Sequence, residues 1–304
     1  MSLVGTEGRL GHTEAGAGRP PEAAAGNRRG KKPAGPLWWF ACTWLGIIAL
    51  MVVFADLLPA DYDRPVGDGE SHLPPFQAWP EILGTDFVGR STLTRIAAGA
   101  RTSVIVSVVP VVCGIAVGGL LGLCAAYFRG AVETVTDIVA DALLAFPPLL
   151  LLLMLATVSR HPGVWTIAAG LAVLSVPGFY RLTKANAIAQ SKREYVVVAR
   201  AMGARPGRIM FKELLPNTVG TLLSYAVVVM ALMIVAEGSL SFLGVGIPDP
   251  EPSWGGMVFK EKDHLEDHPG QVFVPCGVLF LTVFSLNVIG DRLRARFDVR
   301  ESHL

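Results

Sequence analysis

Polar and apolar positions fall into blocks along this chain rather than into the periodicity of a soluble core. Apolar runs occupy Leu37–Leu58, Ser103–Tyr127, Val135–Val158, Val164–Leu182, Val219–Leu243 and Val272–Ile289. Runs of roughly 20 apolar residues can cross a hydrocarbon layer as α-helices. The pattern predicts an all-α polytopic membrane protein with six transmembrane helices, one N-terminal helix preceding a core of five. The core spans 103–292, and a short tail follows over 293–304.

The polar segments differ among themselves. Residues 1–36 are rich in Gly, Ala, Arg and Pro, without periodicity, and are expected to be a disordered basic tail. The cluster Arg28, Arg29, Lys31 and Lys32 precedes the first apolar run. That run is too long for a signal peptide and no small-x-small site follows it, so it reads as an uncleaved helix within 37–102. Residues 59–102, with Pro59, Pro65, Pro74, Pro75 and Pro80, read as an extended extracytoplasmic loop with short elements. Between the fourth and fifth runs lies a charged, helix-prone stretch, Arg193–Asn217, inside a polar loop over 184–217. Arg193–Met202 predicts a short helix and Gly203 a turn at positive φ. Pro206 suits the first turn of a second helix running to Leu215, and Pro216 is expected to redirect the chain into the membrane.

Composition sharpens the class. The 304 residues are 52% hydrophobic and 17% charged, against about 25% charged in soluble domains. The net charge of +1 names no partner and gives no sign of nucleic-acid binding. With the N-terminus inside, the inner segments hold nineteen Lys and Arg and the outer segments seven. This asymmetry predicts both termini, and the Arg193–Asn217 stretch, on the cytoplasmic side. Lys184 to Pro216 carries seven basic residues against two acidic, Glu194 and Glu213. Such an element either lies against anionic headgroups or docks a cytoplasmic partner.

Enzyme signatures are largely missing. Gly26-Asn-Arg-Arg-Gly30-Lys31 has the wrong spacing for a phosphate-binding loop. Cys42, Cys113, Cys124 and Cys276 lie in or beside apolar runs with no metal-ligand spacing. His264-Leu-Glu266-Asp-His268, with Asp263 and Asp267, could hold a divalent ion but lacks a third ligand; the plainer reading is a solvated acidic loop. Ionisable groups within apolar runs are costly in lipid. Asp137 and Asp141 share one helical face, and Glu237 lies near the outer end of the fifth run. Each either faces a water-filled path or is hydrogen-bonded to a neighbouring helix. Pro147 and Pro148 predict a bent third helix, and Pro177-Gly178 a second bend.

At this point the residues match a family. Gly203 stands 12 positions before Leu215, and the stretch resembles the EAA-type loop of ABC importer permeases. Tyr195-Val-x-x-Ala199-Arg200-Ala201-Met202-Gly203-Ala204, ending in Leu-Pro-Asn, resembles the dipeptide/oligopeptide/nickel subfamily. Val197 and Val198 occupy the name-giving Glu-Ala positions. Leu83-Gly84-Thr85-Asp86, followed by Gly89-Arg90, resembles the subfamily's LGTD-x-x-GR signature. Glu237–Gly246, continuing to Pro252-Ser253-Trp254-Gly255, resembles its LSFLGLG…PSWG segment. Gly290-Asp291-Arg-Leu293-Arg294 resembles its C-terminal signature, with Ala295 for the usual aspartate and Val299 for the usual proline. The resemblance covers about residues 37–300 and points to the second, C-type permease subunit.

It implies a bacterial inner-membrane, multi-pass subunit of an ATP-driven importer of di- or oligopeptides. The subunit would pair with a homologous permease, two ATPase subunits and an extracytoplasmic binding protein, all set in lipid. No cofactor would bind this chain; ATP and magnesium would belong to the ATPases, and this chain would perform no covalent chemistry. Glu194, Tyr195, Ala199, Arg200, Ala201, Gly203, Ala204 and Pro216 would form the coupling element. Asp141, Phe146 and Glu237 are candidates for the translocation path. Two alternatives stay open: a nickel or metal-chelate importer permease, and an ion-coupled secondary transporter using Asp137, Asp141 and Glu237.

Overall fold

The computed structural model describes residues 35–57, 61–66, 71–76, 82–159 and 163–301. The expected disorder of the basic tail falls outside these residues, except at Gly35 and Pro36. The regular elements among the described residues are helices, with two isolated β-bridges, Pro65 to Arg90 and Thr85 to Ser91.

The helices are α1 (Pro36–Phe54), α2 (Thr92–Phe128), α3 (Gly130–Ala145), α4 (Pro148–Val158), α5 (Val164–Ser191), α6 (Glu194–Ala201), α7 (Pro206–Phe242), α8 (Trp254–Glu261) and α9 (Pro269–Glu301). Five of them, α1, α2, α5, α7 and α9, are long and apolar enough to span a membrane. The bent pair α3 and α4 makes six if it counts as one span.

Several boundaries depart from the hydropathy reading. The second helix begins at Thr92, so 92–102 is helix rather than loop. Its first turns carry Arg95 and Arg101, which hide it from a hydropathy scan. Arg95 is 1% exposed and donates from Nη1 to Tyr62 O at 3.1 Å. The last helix continues to Glu301, well past the tail boundary at 293. The expected bend at Pro177 is not a break, since α5 is continuous through it. Pro216 does not redirect the chain either, because α7 runs through it. The preceding turn, Ile209–Leu214, is π-helical, and i→i+5 bonding there absorbs the missing proline N–H.

The third span breaks more sharply than a kink. Proline disfavours the helical region for its preceding residue. Phe146 and Pro147 each precede a proline, and both are extended, at ψ 129° and 121°. Pro148 then restarts the helix at a position that needs no N–H. The result is an 85° elbow between α3 and α4.

The bundle is built around α5 and α7, with α2 against both. One cluster joins Val106, Leu152, Ile167, Leu171 and Leu240. A second joins Val111, Phe179, Leu222, Ala226 and Val229. A third lies at the end carrying α6. Helix α9 packs on α7 through Leu286, Ala231 and Ile234. Helix α1 leans on α2 and α9 and leaves Trp39, Leu50 and Val53 facing outward, as suits a helix in lipid.

The α2–α5 contact depends on absent side chains. Gly114, Gly118 and Gly122 line one face of α2, and small residues let membrane helices approach closely. A Cβ on Gly118 would lie 2.5 Å from Val176 O, and one on Gly122 would lie 2.7 Å from Tyr180 O. These neighbours are backbone and cannot move aside.

At the opposite end from α6, the segments 82–91 and 252–255 meet. Asp86 Oδ1 accepts from Val88 N and Arg90 N, and its Oδ2 from Arg90 Nε at 2.8 Å. Trp254 is fully buried and donates to Ile96 O at 3.1 Å. Gln271 Nε2 donates to Leu73 O and Thr85 O.

Gly118→Val is expected to push α2 off α5 and cost about 3 kcal/mol or more. Gly46→Val, in α1 with open space around it, serves as the control. Thermal unfolding of the detergent-solubilised chain should show a large loss for the first substitution and a small one for the second.

Candidate functional site

The Arg193–Asn217 stretch folds as a short helix, a tight turn and the start of α7. Glu194 opens α6 and Arg200 closes it, each sign suited to its end of the helix dipole. Gly203 N donates to Arg200 O and Ala204 N to Ala199 O, at 3.0 and 3.1 Å. These two bonds form a Schellman motif, and it needs the positive φ of Gly203, here 79°. Pro206 then starts α7 from an extended Arg205.

One side of this element is buried. Val196 of α6 packs with Ile209, Met210 and Leu214 beneath Leu123, Ala126 and Ala187, and Ala199, three residues on, is buried as well. Polar links fix it further. Tyr195 Oη donates to Gln190 Oε1 at 3.0 Å and accepts from Asn217 Nδ2 at 3.1 Å. Asn217 also donates to Glu213 O at 2.7 Å. One phenol thus joins the end of α5, the start of α6 and the first turns of α7. Partial burial raises the Tyr195 pKa above the ordinary phenol value. Arg200 lies over the Tyr127 ring at 5.6 Å.

The other side is open and apolar at its centre. Val197, Val198 and Met202 are 55%, 53% and 75% exposed. Glu194, Ala201 and Gly203 lie on the open surface, while Ala204 is half-buried against the cluster and Pro216 is exposed on α7. The valines at the Glu-Ala positions therefore form the centre of the exposed face.

Next to this element, α3 and α5 are bound by charge. Lys184 Nζ reaches Glu133 Oε1 at 2.8 Å and Asp137 Oδ2 at 2.7 Å. Tyr180 Oη donates to Asp137 Oδ1 at 2.7 Å. Arg181 pairs with Asp141 at the outer rim of the same contact, where both are more than half exposed. The four-residue spacing of Asp137 and Asp141 was visible in the sequence, and the structure adds Glu133 one turn earlier. Their partners on α5 were not, because nothing local pairs the two helices.

The three pathway candidates are separated. Asp141 is held by Arg181, and Phe146 is exposed at the elbow. Glu237 is fully buried and accepts from Ser241 Oγ at 2.7 Å. They share no hydrogen bond or ion pair among the described residues.

At the far end, Asp249 receives Lys260 and lies 3.8 and 3.9 Å from Arg90 and Arg95. Burial works to raise the Asp249 pKa, but the Lys260 bond and the nearby cations hold it below the usual carboxylate range. Lys260 is itself lowered, first by burial and then, against the pull of Asp249, by Arg95 and Arg90. Both shifts agree with a site crowded by cations.

His264 and His268 do not stand alone in a solvated loop. His72 stacks on His268 with ring centroids 4.2 Å apart, and lies 4.6 Å from His264. No group of three or more metal-ligating side chains among the described residues is arranged to hold an ion.

The family model described as the binding-protein-dependent transport system inner membrane component matches residues 114–303. The chain belongs to this family. A provisionally named peptide permease protein of Brucella suis is 37% identical over 225 residues, covering 73% of this chain and 74% of its own length. A glutathione transport system permease of Pectobacterium atrosepticum is 32% identical, with coverage of 78% and 76%. A di/tripeptide transport system permease of Pseudomonas aeruginosa is 32% identical, with coverage of 83% and 86%. Among solved structures, an inward-facing MetNI methionine ABC transporter aligns with a TM-score of 0.55 at 20% identity, over 66% of this chain and 95% of that one. At that identity it shows the fold alone. As a member of this inner-membrane family with five or six spans, the chain is a multi-pass bacterial inner-membrane transport subunit. Members of the family work with substrate-binding and ATPase components.

Gly203→Val is expected to break the Schellman turn, because a β-branched residue is strained at that φ. There is open space around Gly203, so the bundle should still fold. Transport in reconstituted vesicles should drop roughly tenfold or more, with thermal stability changed by about 2 kcal/mol at most.

Proposed function

We propose that this chain is one permease subunit of an ATP-driven importer of di- or oligopeptides. It forms half of the translocation pathway with a homologous permease. Two ATPase subunits dock on the Arg193–Asn217 element, which faces the cytoplasm with both termini. A binding protein delivers cargo at the opposite face. The chain carries no catalytic group; ATP and magnesium belong to the ATPases.

The observation that carries this reading is the two-sided build of α6. One side is locked beneath α2, α5 and α7, and the other offers Val197, Val198 and Met202. An element locked on one side and open on the other can pass a partner's movement to the bundle. ATPase closure would bias a two-state arrangement of helices, and the α3–α4 elbow is suited to a hinge. The peptide cargo is supported by the relatives' names and by the LGTD and PSWG segments. The ion-coupled alternative is weakened because Asp137 and Asp141 each already hold a cation from α5.

The test is uptake by the reconstituted importer in proteoliposomes. A labelled dipeptide should accumulate only with the binding protein and internal ATP, regardless of ion gradients. Accumulation of nickel without peptide would move the assignment to a metal importer. Uptake that follows a proton or sodium gradient without ATP would overturn the whole reading.

A further inference from the structure

The open side of α6 differs in its aim from a helix lying on lipid. Successive residues of an α-helix are turned by about 100°. On that wheel the midpoint of Val197 and Val198 lies about 180° from the midpoint of the buried Val196 and Ala199. The two valines therefore point away from the ends of α2, α5 and α7, where Val196 is packed. A helix resting on headgroups turns its apolar arc toward the hydrocarbon, which is the side the bundle occupies. Here the apolar arc is turned the other way.

Cations bracket this apolar centre. Lys192 and Arg193 precede α6, and Arg205 and Arg208 follow the Gly203 turn. Lys212 stands one turn further on, beside the exposed Phe211. All five cations are exposed, and none has an ion-pair partner among the described residues. Arg200 differs, since it is set over the Tyr127 ring. The acids of the same element are Glu194, which is exposed, and Glu213, which is half-buried. The element thus offers an apolar centre with an uncompensated basic margin.

We propose that the ATPase surface seated here is a cleft with an apolar floor and an acidic rim, and that it presents no cation at the floor. The inference rests on the reading of this element as an ATPase dock and names the chemistry of that dock. The floor follows from burial. Val197, Val198 and Met202 gain by leaving water for apolar atoms, whereas a polar group opposite them would be desolvated without a partner. A cation placed there would be buried unpaired, which is costly. The rim follows from charge. Carboxylates opposite Arg193, Arg205 and Arg208 would steer the encounter and fix its register at the edge of the contact. Anionic headgroups would satisfy the same cations but would leave the outward-facing valines in water. Val197, at the name-giving glutamate position of the EAA-type loop, also sets which cleft fits. One built to pair a glutamate there would keep an unpaired cation against this chain.

Binding of the importer's purified ATPase subunits to the permease pair in lipid nanodiscs tests the proposal. Val197→Glu should weaken binding about tenfold or more, and Val197→Leu should remain within about threefold of wild type. Position 197 is exposed, so neither change should disturb folding. Arg205→Gln combined with Arg208→Gln should weaken binding about fivefold, mainly through a slower on-rate, and should flatten the dependence on salt. Equal or tighter binding by Val197→Glu overturns the apolar floor. An unchanged affinity and salt response in the arginine variant overturns the acidic rim. The nanodiscs are made from phosphatidylcholine alone and from its equal mixture with phosphatidylglycerol. Variant effects of the same size in both lipids support the ATPase cleft. Effects confined to the phosphatidylglycerol mixture assign the surface to headgroups and overturn the proposal. Absence of binding by the wild type in both lipids would overturn the importer reading itself, and the cleft with it.

Discussion

The contact between Val196 of α6 and the ends of α2, α5 and α7 decides what the rest of the bundle can do. A surface helix of eight residues has little stability of its own. Its position is fixed chiefly by burying Val196 among Leu123, Ala126, Ala187, Ile209, Met210 and Leu214. The Tyr195–Asn217 link and the Schellman turn add direction. With α6 fixed, its open side can bear a partner and its buried side can move three spanning helices together. Without the cluster, the same residues would be a mobile basic loop, and binding to them would not be felt across the membrane.

The remainder of the fold supplies stiffness where that movement must be carried and a break where it can be absorbed. The glycine face of α2 brings it against the backbone of α5, so the two behave as one piece. Lys184 joins α3 to that piece through Glu133 and Asp137. Beyond this joint the chain turns by 85° at Phe146 and Pro147. The side chains facing outward from α3 and α4, among them Ile138, Val139, Leu150 and Met154, are apolar and largely exposed. They suit lipid or a second permease. At the opposite end, the Asp86 turn, Trp254 and Gln271 hold the connecting segments in fixed positions.

Much of this was legible in the residues, for identifiable reasons. Apolar blocks report lipid-facing length directly, so the helix number followed from them. Gly203 and the Pro206 start are local rules and appeared where they were expected, as did the double proline at 147 and 148. The hidden parts depend on tertiary partners. The first turns of α2 carry Arg95, which reads as loop until Asp86 and Tyr62 O are seen to receive it. Pro216 reads as a stop until the π-helical turn before it removes the need for its N–H. Glu237 reads either as a pathway group or as one bonded within the helices, and its complete burial appears only in the fold, where it accepts from Ser241. His72 gave no signal at all, because a histidine in a proline-rich loop nearly 200 positions from its partners has no spacing to read. Val197 and Val198 stand at the name-giving Glu-Ala positions, and the structure makes them the exposed centre of α6.

The central claim is that this centre meets an ATPase and not lipid. A photo-reactive amino acid placed at Val197 in the intact importer tests it most directly, with the buried Val196 as the control position. The account predicts a covalent adduct between position 197 and the ATPase subunit, and none from position 196. Adducts with lipid alone from position 197, in a complex that still transports, would contradict it.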